Sequence, residues 1–564
     1  MHTQRHSIAQ LLQQGRLHHQ QGQPDLAETC YRQILERQPR NFDAAYLLGL
    51  LRLQSSDPVQ ASALLQRAAK INPSDPSTHT LLGIALQGSG HSEASLTHFR
   101  RAATLAPGNA EFHYNLGKAL RATRQFDEAR KAYETAIQLQ PDYTEAYNNL
   151  SEVLTTLKLP EKAVEAAETA LQLHPRHAEA LSNRGAALLL LRQWSQALAD
   201  LSEALTIKPD LKKALVNRGT ALLNLNRHDE AQADFAQALL RDPADSLVRW
   251  NLALCQLLLG NFREGWNNYK ARWNTVMEGL HPRFPQPLWD GASFTGRLLI
   301  WADQGLGDQI LFASMFPEVA RQAPDVRFAV APRLLTLLQR SFAGLRFCSH
   351  QEVRNDGAFD AYAFTSDLGK FFRNTIDDCL SRRRTYLLAD EALTRQLHKR
   401  ISSSKRMICG LSWISKNESF GCEKSMELAQ LSAAFNGLNY EWIDLQYGDT
   451  EAERLAVSGS GGIVVKREPT IDTLNDIDGL SSLIDACDVV VTISNTTAHL
   501  AGALGKRVLL MLPYSAGRFW CWQKDREDSL WYPNVRIFRQ PKEGDWASVI
   551  AAVREALITV QSQP

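Results

Sequence analysis

Two short stretches of this chain gather residue types that can do chemistry at a strand-to-helix turn. In CDVVVTISNTTAHLAGALGKRVLLMLP, a fully apolar run delivers Ser494, Asn495, Thr496 and Thr497 to the start of a helix rich in small residues. Free backbone N–H groups and the positive end of the helix dipole make such a turn a natural seat for a phosphate or diphosphate, and the hydroxyls can supplement it. His499, one turn in, is placed either to reach the same anion or to serve as a structural hydrogen-bonding residue. In LLIWADQGLGDQILFA, an apolar run ends at Ala302, Gly305 and Gly307 allow a tight turn, and Asp308 stands at the mouth of the following helix. On general grounds an aspartate there caps the helix, and one glycine-rich turn carries little information alone.

The elements that must hold these turns alternate. Candidate strands are 298–302, 327–331, 408–412, 442–445, 489–493 and 508–512; candidate helices fall near 310–321, 334–341, 427–435, 479–486, 498–504 and 546–557. Alternation of this kind predicts parallel sheets covered by helices, whose ligands sit beyond the carboxyl ends of the strands. A polar stretch at 394–406 divides the region into two α/β domains, 297–395 and 396–564, facing a cleft. The 34-residue register stops after Met277, and the proline-rich segment HPRFPQPLWDGASF predicts a linker over 276–296.

Upstream, the chain repeats. Proline recurs at Pro39, Pro73, Pro107, Pro141, Pro175, Pro209 and Pro243, always 34 residues apart. With 22 prolines in 564 residues, that register cannot be accidental. A glycine column (Gly15, Gly49, Gly83, Gly117, Gly185, Gly219, with Ser151 and Ala253) and an alanine column (Ala27, Ala61, Ala129, Ala163, Ala197, Ala231, with Ser95 and Gly265) lock the frame. Antiparallel helices approach closely only where side chains are small, and proline closes each unit. The pattern resembles the tetratricopeptide repeat: an array over 8–275, with seven full units and a degenerate eighth around 251–272. Such a stack presents a long binding surface. One position holds Asn115, Asn149, Asn183, Asn217 and Asn251 in successive units, roughly 150° from the packing face of the first helix. It is therefore predicted to point out of the stack, where carboxamides can pair with the backbone of an extended peptide. The column is similar to the asparagine ladder of the O-linked N-acetylglucosamine transferases, and equally to asparagines common at this position in tetratricopeptide repeats.

Bulk composition narrows the partners. A formal net charge of +1, 44% hydrophobic and 22% charged residues describe an ordinary globular chain, with no basic excess pointing to nucleic acid or an anionic membrane. The eight cysteines show no paired spacing, which predicts free thiols and no structural zinc. No apolar run of spanning length occurs, so the expectation is a cytoplasmic protein without membrane insertion.

Taken in order, the two turns resemble those of bacterial heptosyltransferases and of tetratricopeptide-repeat proteins carrying a heptosyltransferase-like domain. The segments ICGLSWISKNESFGCEKSMELAQL, YEWIDLQYGD and SLWYPNVRIFRQPKEGDW lie between and after them in fitting order. The resemblance implies an all-α tetratricopeptide superhelix followed by a GT-B fold, two Rossmann-like domains with a final helix from Trp546 returning to the first. It implies an inverting glycosyltransferase, in which Asp308 is the general base that deprotonates an acceptor hydroxyl. Gly305, Gly307, Asn495, Thr496, Thr497 and His499 would form the donor site for a nucleotide diphosphate sugar. Lys424, with Lys416 as neighbouring alternative, would offset charge on the leaving diphosphate in place of a metal. No cofactor is expected, and the acceptor would be a protein or peptide held by the asparagine column. Two departures stand out: Ser494 occupies a position commonly acidic in heptosyltransferases, and lysine replaces an arginine near Lys424. Trp520, Trp522, Trp531 and Tyr532, beside Arg518 and Lys524, suit either a ring-stacking site or a core. Two other readings use the same residues: a non-catalytic adaptor, and a transferase acting on a glycan.

Overall fold

The computed structural model describes residues 7–275, 279, 282–356, 358–402, 406–416, 421–515 and 520–562. Met277 and Arg518 lie outside them. Contacts divide the chain into two compact units, Met1–Ala221 and Leu222–Pro564. The division falls inside the first helix of the seventh repeat, Lys212–Asn224, and not at the end of the array.

The repeats are helical hairpins in strict 34-residue register. First helices begin at Ile8, Phe42, Pro76, Ala110, Thr144, Ala178, Lys212 and Ser246, and second helices at Pro24, Pro58, Ser92, Phe126, Pro160, Trp194, His228 and Phe262. Each hairpin turns through a left-handed residue, φ between +58° and +83°, at Gly22, Ser56, Gly90, Arg124, Lys158, Arg192, Asn226 and Gly260. The glycine column has a partner 16 residues on: a methyl at Gly15, Gly49, Gly83, Gly117 or Gly185 would meet Tyr31, Leu65, Phe99, Tyr133 or Leu201 at 2.6–2.8 Å. In the fifth unit both members change. Ser151 replaces the glycine, Ala167 replaces the large residue, both are fully buried, and the Ser151 hydroxyl donates to the Ala163 carbonyl at 2.7 Å.

The second half contains two all-parallel sheets. The first has the order β3-β2-β1-β4, built from β1 (Leu298–Trp301), β2 (Val326–Val330), β3 (Arg346–Ser349) and β4 (Ala361–Phe364). The second has the order β10-β9-β8-β5-β6-β7, built from β5 (Met407–Ser412), β6 (Tyr440–Asp444), β7 (Val465–Lys466), β8 (Val489–Ile493), β9 (Arg507–Leu512) and β10 (Val535–Arg539). In the first sheet the chain reverses direction across β1 and β4, and in the second across β5 and β8. The turns after β1 and β8 therefore both lie at switch points, where an open parallel sheet leaves a crevice.

Four expectations need correction. The segment predicted as a linker is woven into the first lobe: Leu288 forms a bridge with Tyr362 beside β4, and Phe284 packs edge-on to Trp301, Phe359 and Tyr362. Its prolines break helices but do not stop aromatics from being buried. The boundary at 395 falls inside the helix Glu391–Ile401, which packs on the helix Ile477–Asp485 of the second lobe; Leu397 and Ile401 are its buried stripe in an otherwise polar segment. The final helix, Trp546–Ser562, does not return to the first lobe. Its buried Val549, Ile550, Val553 and Leu557 complete the core beneath β8 and β9, and the Leu557 carbonyl accepts from Tyr440. The helix predicted over 310–321 is two helices, Leu306–Ala313 and Phe316–Gln322, the second starting with Pro317 in its first turn.

Candidate functional site

β1 ends at Trp301 and hands the chain to the helix Leu306–Ala313, with Gly305 at its N-cap and Asp308 in its first turn. β8 ends at Ile493 and hands it to the helix Thr496–Ala503. The two helices touch, and their N-termini open on one cavity of about 490 Å³. Gly305, Gly307, Asp308, Lys424, Asn495, Thr496, Thr497 and His499 all border it. Residues predicted from separate motifs more than 180 positions apart thus meet at one place.

Their roles divide. Asn495 is the N-cap: its Oδ1 accepts from Ala498 N and Thr492 Oγ1, and its Nδ2 donates to Ser412 at 2.8 Å, so its side chain holds the turn. Gly307 is a contact glycine, since a methyl there would stand 2.9 Å from His499 Cδ2. Thr497 is 1% exposed while Thr496 is half-buried, so the Thr496 hydroxyl is the more accessible of the two. The His499 ring shares a hydrogen bond of 2.8 Å with Tyr532 and stacks on Trp522. Burial, reinforced by the Lys424 charge, pushes its pKa down to about 3, so it is neutral at physiological pH. Trp522 donates to Ser494 Oγ at 2.9 Å, so the hydroxyl at the commonly acidic position is engaged by an indole. Trp522, Trp531 and Tyr532 are core residues; Trp520 reaches the cavity.

Charge is arranged around Asp308. Burial first, and then the neighbouring Asp303, raise its pKa to about 6, while Lys424 opposes them. Lys424 is 8% exposed and donates to the Ser494 carbonyl at 2.9 Å; burial lowers its pKa. Lys416 does not border the cavity but stands behind Tyr447, whose hydroxyl accepts from Lys416 N at 2.7 Å. A carboxylate that ionises just below neutrality, two helix N-termini and an ammonium form a set able to take a proton and to hold an anion.

The cavity also uses residues that the motifs do not announce. Arg333 donates to the Leu474 carbonyl at 2.7 Å, and outside the cavity Arg340 pairs bidentately with Asp478 at 2.7 and 2.6 Å, which ties the first lobe to the second. The eighth repeat packs behind Trp520 and does not itself border the cavity. Trp266 packs edge-to-face on Trp520 at 5.1 Å and donates to the Arg373 carbonyl; Tyr269 and Gln304 are hydrogen-bonded at 3.0 Å. Arg272, 1% exposed, pairs with Asp303 at 3.5 Å and Asp367 at 3.0 Å. The repeat register carries a signal for it: Arg272 stands where Ala68, Ala102, Ala136, Ala170, Ala204 and Ala238 stand.

The asparagine column differs from its helical-wheel reading. Asn115 and Asn183 are 8% exposed, and Asn149, Asn217 and Asn251 are half-buried. Asn149 donates to Tyr114 Oη at 3.2 Å, and Asn183 to Asn148 Oδ1 at 2.8 Å, each reaching the preceding repeat. Successive first helices touch one another, so a face turned away from its hairpin partner meets the next repeat before it meets solvent.

The chain is thus a tetratricopeptide repeat array of sixteen helices by residue register, followed by a region of two parallel sheets. A family model described as tetratricopeptide repeat matches residues 12–76, 80–144, 115–168, 156–211 and 216–264. Among curated proteins, the chain is similar to Protein FlbA of Caulobacter vibrioides, 28% identical over 339 residues, covering 55% of this chain and 55% of that protein. The chain therefore spans about half the length of that relative. Among solved structures it is similar to a thermophilic TPR protein of Thermus thermophilus, with 28% identity, TM-score 0.29, and coverage of 33% of this chain and 100% of that one. It is also similar to the APC/C hetero-tetramer Cut9-Hcn1, with 19% identity, TM-score 0.38, and coverage of 48% and 54%. No described helix is long and apolar enough to cross a membrane, and no group of three or more acidic, histidine or cysteine residues among the described ones could hold a metal ion.

Proposed function

We propose that the chain is an inverting glycosyltransferase of the GT-B type, moving a sugar from a nucleotide diphosphate sugar to a hydroxyl of a protein acceptor bound by the repeats. The observation that carries this reading is Asp308: a carboxylate bordering a cavity, ionising near pH 6, opposite a helix N-terminus and Lys424. Asp308 accepts the acceptor proton as the hydroxyl oxygen attacks the anomeric carbon. The bond to the diphosphate breaks, and the released charge is held by the first turn of Thr496–Ala503 and by Lys424. A neutral His499 keeps the protein side of that pocket from adding a second proton donor of high acidity. Protein–protein interaction is the role that the tetratricopeptide match itself supports.

The test is Asp308→Asn in the full chain, with nucleotide affinity by calorimetry and transfer by mass spectrometry of acceptor proteins. Transfer should fall by a factor on the order of 10²–10⁴ with nucleotide affinity little changed. Full transfer by the variant would overturn the mechanism. Replacing the half-buried Asn217 by alanine should raise the acceptor KM and leave donor affinity unchanged, whereas Asn149 and Asn183, bonded to the preceding repeat, should cost stability as well.

A further inference from the structure

The eighth repeat departs from the others where it meets the turn before Asp308. Its second helix, Phe262–Tyr269, has eight residues instead of fourteen and runs into a 3₁₀ turn, Lys270–Asn274, which inserts Arg272 into the first lobe. The Arg272 guanidinium lies over the Trp273 ring at 4.2 Å, donates to the Tyr269 carbonyl at 3.1 Å, to Asp367 Oδ1 at 3.0 Å and to Ser366 Oγ, and faces Asp303. Asp303 is held from the other side, accepting from Thr365 Oγ1 at 2.9 Å and Ser366 N at 3.1 Å. Both side chains of the pair are 1% exposed. A buried ion pair this closed is costly to assemble and more costly to break, because removing one member strands the other. Asp303 lies five residues before Asp308, and Gln304 between them is tied to Tyr269 of the same repeat.

We propose that the Arg272–Asp303 pair is a positioning device supplied jointly by the last repeat and the first lobe, fixing the turn that presents Asp308 to the cavity. Arg272 acts on Asp308 mainly through Asp303, with Tyr269 as its other neighbour that faces Asp308. The inference rests on the reading of Asp308 as a base, but its physical core, a three-residue coupling, stands apart from it. Among the described residues, the other charged or titratable groups facing Asp308 are Lys424, Cys521 and Tyr532 of the second lobe and Tyr269 of the eighth repeat. None of them contacts the Arg272 guanidinium except Tyr269.

The experiment is a double-mutant cycle in the full chain: Asp303→Asn, Arg272→Met and the two together. Each is read by the titration of the Asp308 carboxyl in aspartate-labelled protein and by thermal unfolding. Asp303→Asn removes a like charge, so the Asp308 midpoint should move down from about 6. Arg272→Met alone should shift that midpoint and lower Tm by several degrees. In the double variant the midpoint should return to the Asp303→Asn value, and Tm should recover relative to Arg272→Met. A midpoint that ignores Asp303→Asn, or single-variant effects that simply add, would overturn the proposal. Where transfer is measured, Arg272→Met should lower kcat by about tenfold or more with donor KM little changed, and Arg272→Lys should restore part of it. A chain with no transfer activity but an intact cycle would sink the enzyme reading and leave the coupling standing.

Discussion

The seven regular hairpins and the eighth use one register for opposite purposes. At the position of Trp266 the earlier units carry Glu28, Ser62, Leu96, Arg130, Val164, Leu198 and Gln232, most of them half-buried. At the position of Arg272 units two to seven carry a fully buried alanine. A regular repeat thus presents small residues inward and leaves its outer positions free, because its only obligations are to its neighbours. The last unit has no following repeat. It covers its open end with an indole and a guanidinium that belong to another core, and the same compact unit contains the cavity. In this chain the end of the solenoid packs into the core that supports the cavity, touching it only through Trp520.

Breaking the eighth hairpin should therefore cost most. Trp266 is 3% exposed, covers Gly369 and meets Trp520 at the cavity. Trp266→Ala should destabilise by about 3–5 kcal/mol in denaturant unfolding and reduce nucleotide binding as well. A variant that loses stability but binds nucleotide normally would show that the packing behind Trp520 does not shape the cavity.

The next effect belongs to Asp308 and has a pH signature. Its folded pKa of about 6 exceeds the usual aspartate value, so between pH 4 and 6 the folded chain holds a proton that the unfolded chain has lost. Stability should fall as pH rises through that window, by about 1–3 kcal/mol, and level off above it. Asp308→Asn should flatten this dependence and be the more stable protein at pH 7, while failing in transfer. Equal pH dependence in both proteins would remove Asp308 from the account.

Smaller again is the regular packing column. Gly117→Ala drives a methyl to 2.6 Å from the buried Tyr133 ring, an overpacking expected to cost about 1–3 kcal/mol. Adding Tyr133→Ala to it reproduces the small-with-small pairing of Ser151 and Ala167 and should leave the overpacking term near zero. A cycle with no coupling between the two sites would show that the hairpins tolerate either size independently.

How legible these features are follows from how local their causes are. The repeat register is readable because sterics act 16 residues apart within one hairpin, and the two cavity turns because apolar strands end abruptly at Ala302 and Ile493. The strands β3, β4, β7 and β10 escape the sequence pattern: RFCS has one buried residue, AYAF is four residues long, VK is two, and VRIFR is interrupted by two arginines. The helix-wheel position of the asparagines is right about the hairpin and silent about the neighbouring repeat that covers them. Arg333, Tyr447 and Arg272 cannot be placed from motifs, since what makes each matter is a partner at least 31 residues away in another element.

The smallest predicted effect concerns the hairpin turns, where regular and irregular units agree. The left-handed residue is glycine in units one, three and eight, but Ser56, Arg124, Lys158, Arg192 and Asn226 elsewhere, all with φ near +60°. An L residue with a Cβ is strained there by about 1–2 kcal/mol, and glycine's extra freedom in the unfolded chain returns part of that difference. Arg124→Gly should therefore raise stability by about 0.5–1 kcal/mol, seen as a higher denaturation midpoint with unchanged slope. Arg192→Gly should gain less, because the Arg192 guanidinium lies 5.6 Å from the Trp194 ring and that contact is lost with it. Equal gains at the two positions would mean that the Arg192–Trp194 contact contributes nothing. Losses at both would mean that these turns are held by their side chains, and the shared register would then conceal a second difference between glycine and non-glycine repeats.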